Sequence, residues 1–320
     1  MASATVAIPV RNGGALLEEV LLAARSQKLD GLGSMQLLVC DSGSTDGSVA
    51  LARGCGAEVI EIEPAAFSHG GTRNLLMERA GGEHVAFLTQ DSIPADECWL
   101  ARMMRGFELT EEVGLVFGPY LPRPDASPMV ARELTAWFSS LAPDGSPRAD
   151  RLGEHERQVP PRALLGRRGY FTDANGCVSK AAWQSVPFRK VSYAEDHVLA
   201  HDMLRAGFAK VYVPDAAVVH SHDYSGWEWL RRSFDEARAM HELYGFDEPG
   251  QLRHAALSVW GLVGADLRWV REAERPAATV PLVARSVAFH TLRAAGTVLG
   301  VRAARLPDAV VRQLSLEGRS

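Results

Sequence analysis

The chain has 320 residues, 47% of them hydrophobic and 23% charged, and a formal net charge of −5. This is the composition of a folded protein with room for one large domain or two ordinary ones. The longest run free of Lys, Arg, Asp and Glu is His254 to Ala265, 12 residues, against about 20 for a bilayer span, so none is expected.

Met1 to Thr5 has no basic start and no long apolar stretch follows, so no signal peptide is expected and the setting reads as cytoplasmic. Cys40, Cys55, Cys98 and Cys177 show no CxxC spacing and read as reduced thiols, not as a zinc site. Residues 251–320 hold 10 Arg, no Lys and 5 acids, so a basic tail follows an acidic body. Such a tail fits an anionic surface as partner, or helices whose arginines are simply solvated.

In chain order, Thr5 to Pro9 reads as a buried strand. Ala15 to Ser26 has helix spacing, with Leu16, Val20 and Ala23 on one face. Gln36 to Cys40 and Glu58 to Ile62 read as strands, Thr72 to Ala80 as a helix, His84 to Leu88 as a strand, Asp96 to Phe107 as a helix and Val113 to Phe117 as a strand. This alternation predicts an α/β fold with a mostly parallel sheet between helices. Ligands of such sheets sit beyond the strands' carboxyl ends, which puts residues 9–12, 41–46 and 89–92 on one rim. Leu141 to Gly169, rich in Pro, Gly and Arg, reads as a long mobile loop that gates the site.

Helices are expected at Lys180 to Ser185 and Glu195 to Ala206, and strands near Lys210 to Val213 and Ala217 to His220. From Ser225 the chain reads as helical, with Trp227, Leu230, Phe234 and Ala237 on one face and Pro276, Pro281 and Pro307 dividing the tail.

Five stretches carry chemistry-bearing residues. Asp41-Ser42-Gly43-Ser44-Thr45-Asp46-Gly47-Ser48 ends a strand in an acid that could hold a base or ribose, although turn and N-cap chemistry accounts for it as well. Asp91, ending Phe87 to Ser92, could bind a cation through oxygen, or serve a turn. In His69-Gly70-Gly71-Thr72-Arg73-Asn74 two glycines before a helix and an arginine suit an anion, or form a Gly-rich turn. Glu195-Asp196 opens a helix, where acids favour the macrodipole and where one could act as a general base. His220 and His222 share a strand face beside Asp223, a spacing suited to metal or to structure.

Taken in this order, the stretches resemble the inverting nucleotide-sugar glycosyltransferases of family 2, over about residues 4 to 245. Ala7-Ile8-Pro9-Val10-Arg11-Asn12 completes the set. The versions His69 to Asn74, Thr89-Gln90-Asp91 and His220-Ser221-His222-Asp223-Tyr224-Ser225, with Leu306 to Ser315, look like the bacterial rhamnosyltransferase-like branch.

The resemblance implies a GT-A fold, a catalytic domain over residues 1–224 and a C-terminal helical region over 225–320. It implies Pro9, Arg11 and Asp41 at the nucleobase and ribose, and Arg73 at the diphosphate. Asp91 with His220 or His222 would hold Mg²⁺ or Mn²⁺, Asp196 would be the catalytic base, and Asn175 and Glu195 would meet sugar or acceptor. Thr89 replaces the first acid of the family's DxD pattern, which implies metal binding that tightens with the donor.

The implied partners are a nucleoside diphosphate sugar, with dTDP-rhamnose the branch's donor, and a cell-envelope glycan or lipid-linked acceptor. No nucleic acid is expected. The Arg-containing tail would lie on the anionic inner face of the membrane, or Trp260, Leu267, Val270, Val287 and Leu292 would build a dimer interface or pack on the body. The missing acid leaves a second reading, a catalytically silent sugar-nucleotide-binding module. A nucleotidyltransferase would leave Glu195-Asp196 unexplained.

Overall fold

The computed structural model describes residues 2–30, 32–158, 166–246, 252–273 and 279–316. The first strand, β1 (Ala2–Val10), leads through α1 (Gly14–Arg25) to β2 (Leu32–Asp41), α2 (Ser48–Gly54) and β3 (Glu58–Glu61). Next come α3 (His69–Arg79), β4 (His84–Leu88), β5 (Ile93–Pro94), α4 (Trp99–Gly106), β6 (Val113–Phe117), β7 (Tyr120–Leu121) and α5 (Pro128–Leu141). The second half adds β8 (Arg148–Asp150), β9 (Asn175–Ser179), α6 (Lys180–Ser185), α7 (Glu195–Ala206), β10 (Ala209–Tyr212) and β11 (Val218–Val219). Four helices close the described chain: α8 (Gly226–Tyr244), α9 (Leu252–Glu272), α10 (Thr279–Val301) and α11 (Asp308–Leu314).

Eight strands form one sheet in the order β3-β2-β1-β4-β9-β6-β10-β8. Its pairings are parallel except those of β9 with β4 and β6, and of β8 with β10. The mostly parallel α/β sheet is therefore as expected. Its strands read as continuous apolar runs because both faces are covered. The pleat sends Val6, Ile8, Val39 and Leu88 to the side of α1, α2 and α4, and Ala7, Leu38, Val85 and Phe87 to the side of α3, α5 and α7.

Several local expectations are corrected. The core face of α1 is Leu17, Val20, Leu21 and Ala24, while Leu16 is exposed; the register was one position off. On α8, Leu230, Phe234 and Ala237 are buried but Trp227 is half exposed. The sheet also contains β9, a strand that the Asn175-Gly176 pair disguises as a turn.

Residues 141–158 are anchored rather than loose. Within them β8 joins the sheet edge, and its buried Asp150 meets the buried Lys210 ammonium at 3.1 Å. Burial pushes the Lys210 amine down to about 8, although Asp150 opposes the shift. Further along the proposed gate Arg168 pairs with Glu156 at 2.7 Å, and residues 159–165 lie outside the described residues.

The C-terminal helices pack onto the body. Val270, Leu282 and Phe289 meet Met129 and Val130 of α5, while Ala303 and Leu314 meet Leu230 and Phe234 of α8. A Cβ on Gly296 would sit 2.2 Å from the Leu230 carbonyl oxygen, and one on Gly300 2.4 Å from that of Phe234, so this one-turn spacing lets α10 lie against the α8 backbone. Leu267, Val270 and Leu292 of the proposed interface set are thereby used internally, whereas Trp260 is 63% exposed. Pro281 lies in the first turn of α10 and does not divide the tail, Pro307 precedes α11, and Pro276 lies outside the described residues. Among the described residues no helix is long and apolar enough to cross a membrane.

Candidate active site

A cleft of about 940 Å³ opens at the carboxyl ends of β1, β2 and β4, where an open α/β sheet binds ligands. Pro9, Arg11, Ser42, Thr89, Gln90 and Asp91 form its first wall. Asp41 stands one residue behind that wall. Its Oδ2 accepts the Gly43 and Ser44 N–H groups at 3.0 and 2.9 Å, and among the described residues its buried Oδ1 has no hydrogen-bond donor.

The serine-rich stretch after Asp41 is a clasp between two loops. Ser44 Oγ, Ser48 Oγ and Asp46 Oδ2 accept the consecutive N–H groups of Asn12, Gly13 and Gly14 at 2.8, 3.0 and 3.0 Å. Asn12 answers by accepting the Thr45 N–H. Its backbone is left-handed, φ 51°, a conformation Asn tolerates. Hydrogen bonds from Ser48 hold the Asp46 carboxyl below its usual range. The rim is thus fixed before any ligand arrives.

Asp91, His220 and His222 converge across the sheet ends, with their candidate ligand atoms all within 4.8 Å of one another. His220 Nδ1 lies 3.6 Å and His222 Nε2 3.3 Å from the Asp91 carboxylate. Both histidines, not one alone, stand beside the Asp91 carboxylate. Burial pushes the His220 imidazole down to about 4 and lowers that of His222, with Asp91 opposing in each case. The rings are then neutral at physiological pH, the form that ligates a metal. A carboxylate and two neutral imidazoles suit a divalent cation such as Mn²⁺. Thr89 takes no part in this set. Its hydroxyl pairs with that of Ser92 at 2.6 Å, while Arg123, which sequence reading missed, donates to the Asp91 carbonyl at 2.7 Å.

The opposite side of the cleft carries the acids. Ala194, left-handed at φ 61°, turns the chain into α7 and presents Glu195 and Asp196 to the cavity. A non-glycine residue in that region is strained, and such strain gathers at functional sites. Asp196 is half-buried and accepts its neighbour's N–H, that of His197, at 2.8 Å. Glu195 is buried against Arg73 Nη1 at 2.8 Å, and Arg73 Nε reaches Asp173 at 2.7 Å. Burial lifts the Asp173 carboxyl well above its usual range, with Asp196 and Glu195 adding to the lift and Arg73 opposing it.

One implied placement changes here. Arg73 lines the cleft and is ion-paired through Nε with Asp173 and through Nη1 with Glu195. The two glycines lie inside the first turn of α3 rather than before it, and a Cβ on Gly70 would come within 2.3 Å of the Arg189 carbonyl oxygen. Asn175 does not reach the cleft at all. Fully buried, it accepts from the Trp99 indole at 2.8 Å and donates to the Pro119 and Ala216 carbonyls at 3.0 and 2.9 Å. Thr172, Asp173 and Ala174, just before it, do line the cavity.

A further wall comes from α8. Trp229, Arg232, Glu236 and Met240 follow one another at helical spacing and all line the cleft. The helical region beginning at 225 is therefore part of the site. The apolar stripe of α8 faces the core, and the mixed aromatic and charged stripe beside it was passed over for lack of apolar periodicity.

A doubly covered, mostly parallel sheet with this cleft is a GT-A fold. The mannosyltransferase PcManGT from Pyrobaculum calidifontis, solved in complex with GDP-Man and Mn²⁺, superposes with a TM-score of 0.58 at 18% identity, over 93% of this chain and 86% of that one. The TarS 1–349 structure from S. aureus gives 0.50 at 14% identity, over 95% and 91%. The glycosyl transferase family 2 profile matches residues 5–172, and the chain belongs to that family; its activity is glycosyl transfer. It is 32% identical over 235 residues to the O-antigen chain rhamnosyltransferase RfbN of Salmonella typhimurium, covering 72% of this chain and 70% of that protein. With WbaN of Salmonella anatum, another O-antigen chain rhamnosyltransferase, identity is 30% over 239 residues, covering 73% and 71%. The chain is thus a rhamnosyltransferase-like member of family 2.

Proposed function

We propose that the chain is an inverting, metal-assisted glycosyltransferase that moves rhamnose from dTDP-rhamnose to a hydroxyl of a cell-envelope glycan or glycolipid. One observation carries the mechanism: a single cleft is lined both by Asp91, His220 and His222 and by Asp196. The names of the relatives support the sugar and the acceptor class.

The donor lies along the carboxyl ends of the strands, with Pro9, Arg11 and Asp41 toward the nucleoside. Asp91, His220 and His222 would hold a divalent cation, Mg²⁺ or Mn²⁺, which when bound offsets the charge that grows on the departing diphosphate. Asp196 takes the proton of the acceptor hydroxyl as its oxygen bonds to the anomeric carbon. The bond from that carbon to the diphosphate breaks, the diphosphate leaves with the electron pair, and the configuration inverts. Arg73 holds Glu195 and Asp173 beside the base and keeps the acidic cluster from repelling itself apart.

A donor screen tests this. Protein with Mg²⁺ or Mn²⁺, and then with EDTA, is given dTDP-rhamnose, UDP-glucose, UDP-GlcNAc, UDP-galactose or GDP-mannose, and released nucleoside diphosphate is measured. Release from dTDP-rhamnose alone, abolished by EDTA, is expected. Release from another donor would correct the sugar, and no release from any would favour the silent-module reading.

A further inference from the structure

Trp229 is held in place more firmly than a wall residue needs. Its ring meets Tyr224 edge-on at 5.1 Å and Phe289 of α10 edge-on at 4.8 Å. The Arg293 guanidinium lies 5.5 Å from the Trp229 ring and 5.2 Å from that of Phe289, and it is paired with Glu133 of α5. Behind these, the fully buried Asp266 of α9 accepts from Ser286 at 2.6 Å and pairs with Arg132 of α5 and His290 of α10. The C-terminal helix pair is thereby bolted to α5 beside the Trp229 ring, which is partly buried and lines the cleft.

The position is as telling as the bracing. From His222 of the metal-ligand cluster, Tyr224 stacks at 5.1 Å and Trp229 follows after a second step of 5.1 Å. Beyond Trp229 the same stripe offers Arg232, set over the Tyr193 ring at 4.9 Å, and then Glu236. A flat aromatic face flanked by charged groups matches a pyranose, whose C–H face is apolar and whose rim is hydroxyl groups. An alkyl chain would have no use for the charged half of the stripe.

We propose that Trp229 is the platform on which the terminal sugar ring of the acceptor stacks, with Glu236 accepting hydrogen bonds from its hydroxyls. The C-terminal helices act as the platform's brace. This rests on the transferase reading and deepens it, by assigning the acceptor's reducing or non-reducing sugar, rather than its aglycone, to the α8 wall.

The test uses the full chain and two probes, n-octyl β-D-galactopyranoside and n-octyl α-D-mannopyranoside, with an octyl tetraethylene glycol ether as the tail control. Saturation-transfer NMR reads which protons touch the protein. Sugar-ring protons of at least one glycoside should saturate in wild type. Trp229→Ala should weaken that glycoside about tenfold, the loss of one stacked ring, while Trp229→Phe retains most of the affinity and the tail control is unmoved. The proposal is overturned if only tail protons saturate, if no glycoside binds, or if Trp229→Ala, folded by circular dichroism, binds as wild type does. Donor affinity measured on the same samples separates the two readings: a wild type that binds no nucleotide sugar defeats the transferase assignment, whatever the glycosides do.

Discussion

The two walls of the cleft are built in opposite ways. The wall at the ends of β1, β2 and β4 is held by hydrogen bonds to the backbone: Ser44, Asp46 and Ser48 accept the N–H groups of residues 12–14, and Gln90 accepts the Arg11 N–H at 2.9 Å. The α8 wall is held by side-chain packing and charge, since Trp229 lies against Phe289 and Arg293 of α10, and Arg293 is paired with Glu133 of α5. A rigid, hydrogen-bonded rim suits the nucleoside diphosphate of the proposed donor. A wall held by packing and ion pairs can be rebuilt without disturbing that rim, and so suits the part of the substrate that distinguishes one transferase from another.

The largest effect that sharpens this contrast belongs to Asp196, the proposed base. Asp196→Asn should lower transfer about 10²–10⁴-fold while donor affinity, read by calorimetry, stays near wild type. Next is the metal cluster. Asp91→Asn should reduce kcat/KM by about 10²–10³-fold, the usual scale for losing charge stabilisation of a leaving group, and should leave little further for EDTA to remove. A variant still fully sensitive to EDTA would place the metal elsewhere.

Smaller effects concern stability. Asn175→Ala strands the Trp99 indole N–H and two carbonyls, and should cost roughly 3 kcal/mol in urea unfolding with an unchanged KM for donor in the surviving folded protein. An increase in that KM without loss of stability would restore Asn175 to the site. Ser48→Ala removes one clasp of the donor rim, with an expected cost of about 1–2 kcal/mol. Its signature is a rise in donor KM with acceptor binding untouched, the mirror image of Trp229→Ala.

The same contrast explains what could be read from the sequence. Asp41, Asp91, Asp196 and the two histidines stand at element ends, where alternation places them on one rim without knowledge of any long-range contact. Contacts that depend on distant packing are not legible. Nothing in the sequence shows that Arg73 is ion-paired with Glu195 and Asp173. Asn175 looks like a site residue until β9 is inserted between β4 and β6. On α8 the apolar stripe announced the core, whereas a stripe of Trp, Arg, Glu and Met has no periodic signature of its own. Residues 141–158 looked loose by composition, yet the Lys210–Asp150 pair ties them to the sheet edge.

The stereochemistry of transfer tests the central claim most directly. Turnover of dTDP-rhamnose with Mg²⁺ and an accepted glycoside, followed by proton NMR, reports the anomeric configuration of the first product formed. Single displacement with Asp196 as base predicts a configuration opposite to that of the donor. A product of retained configuration would mean a double displacement or attack from the face the diphosphate leaves, and would contradict the assignment of Asp196 and the mechanism built on it.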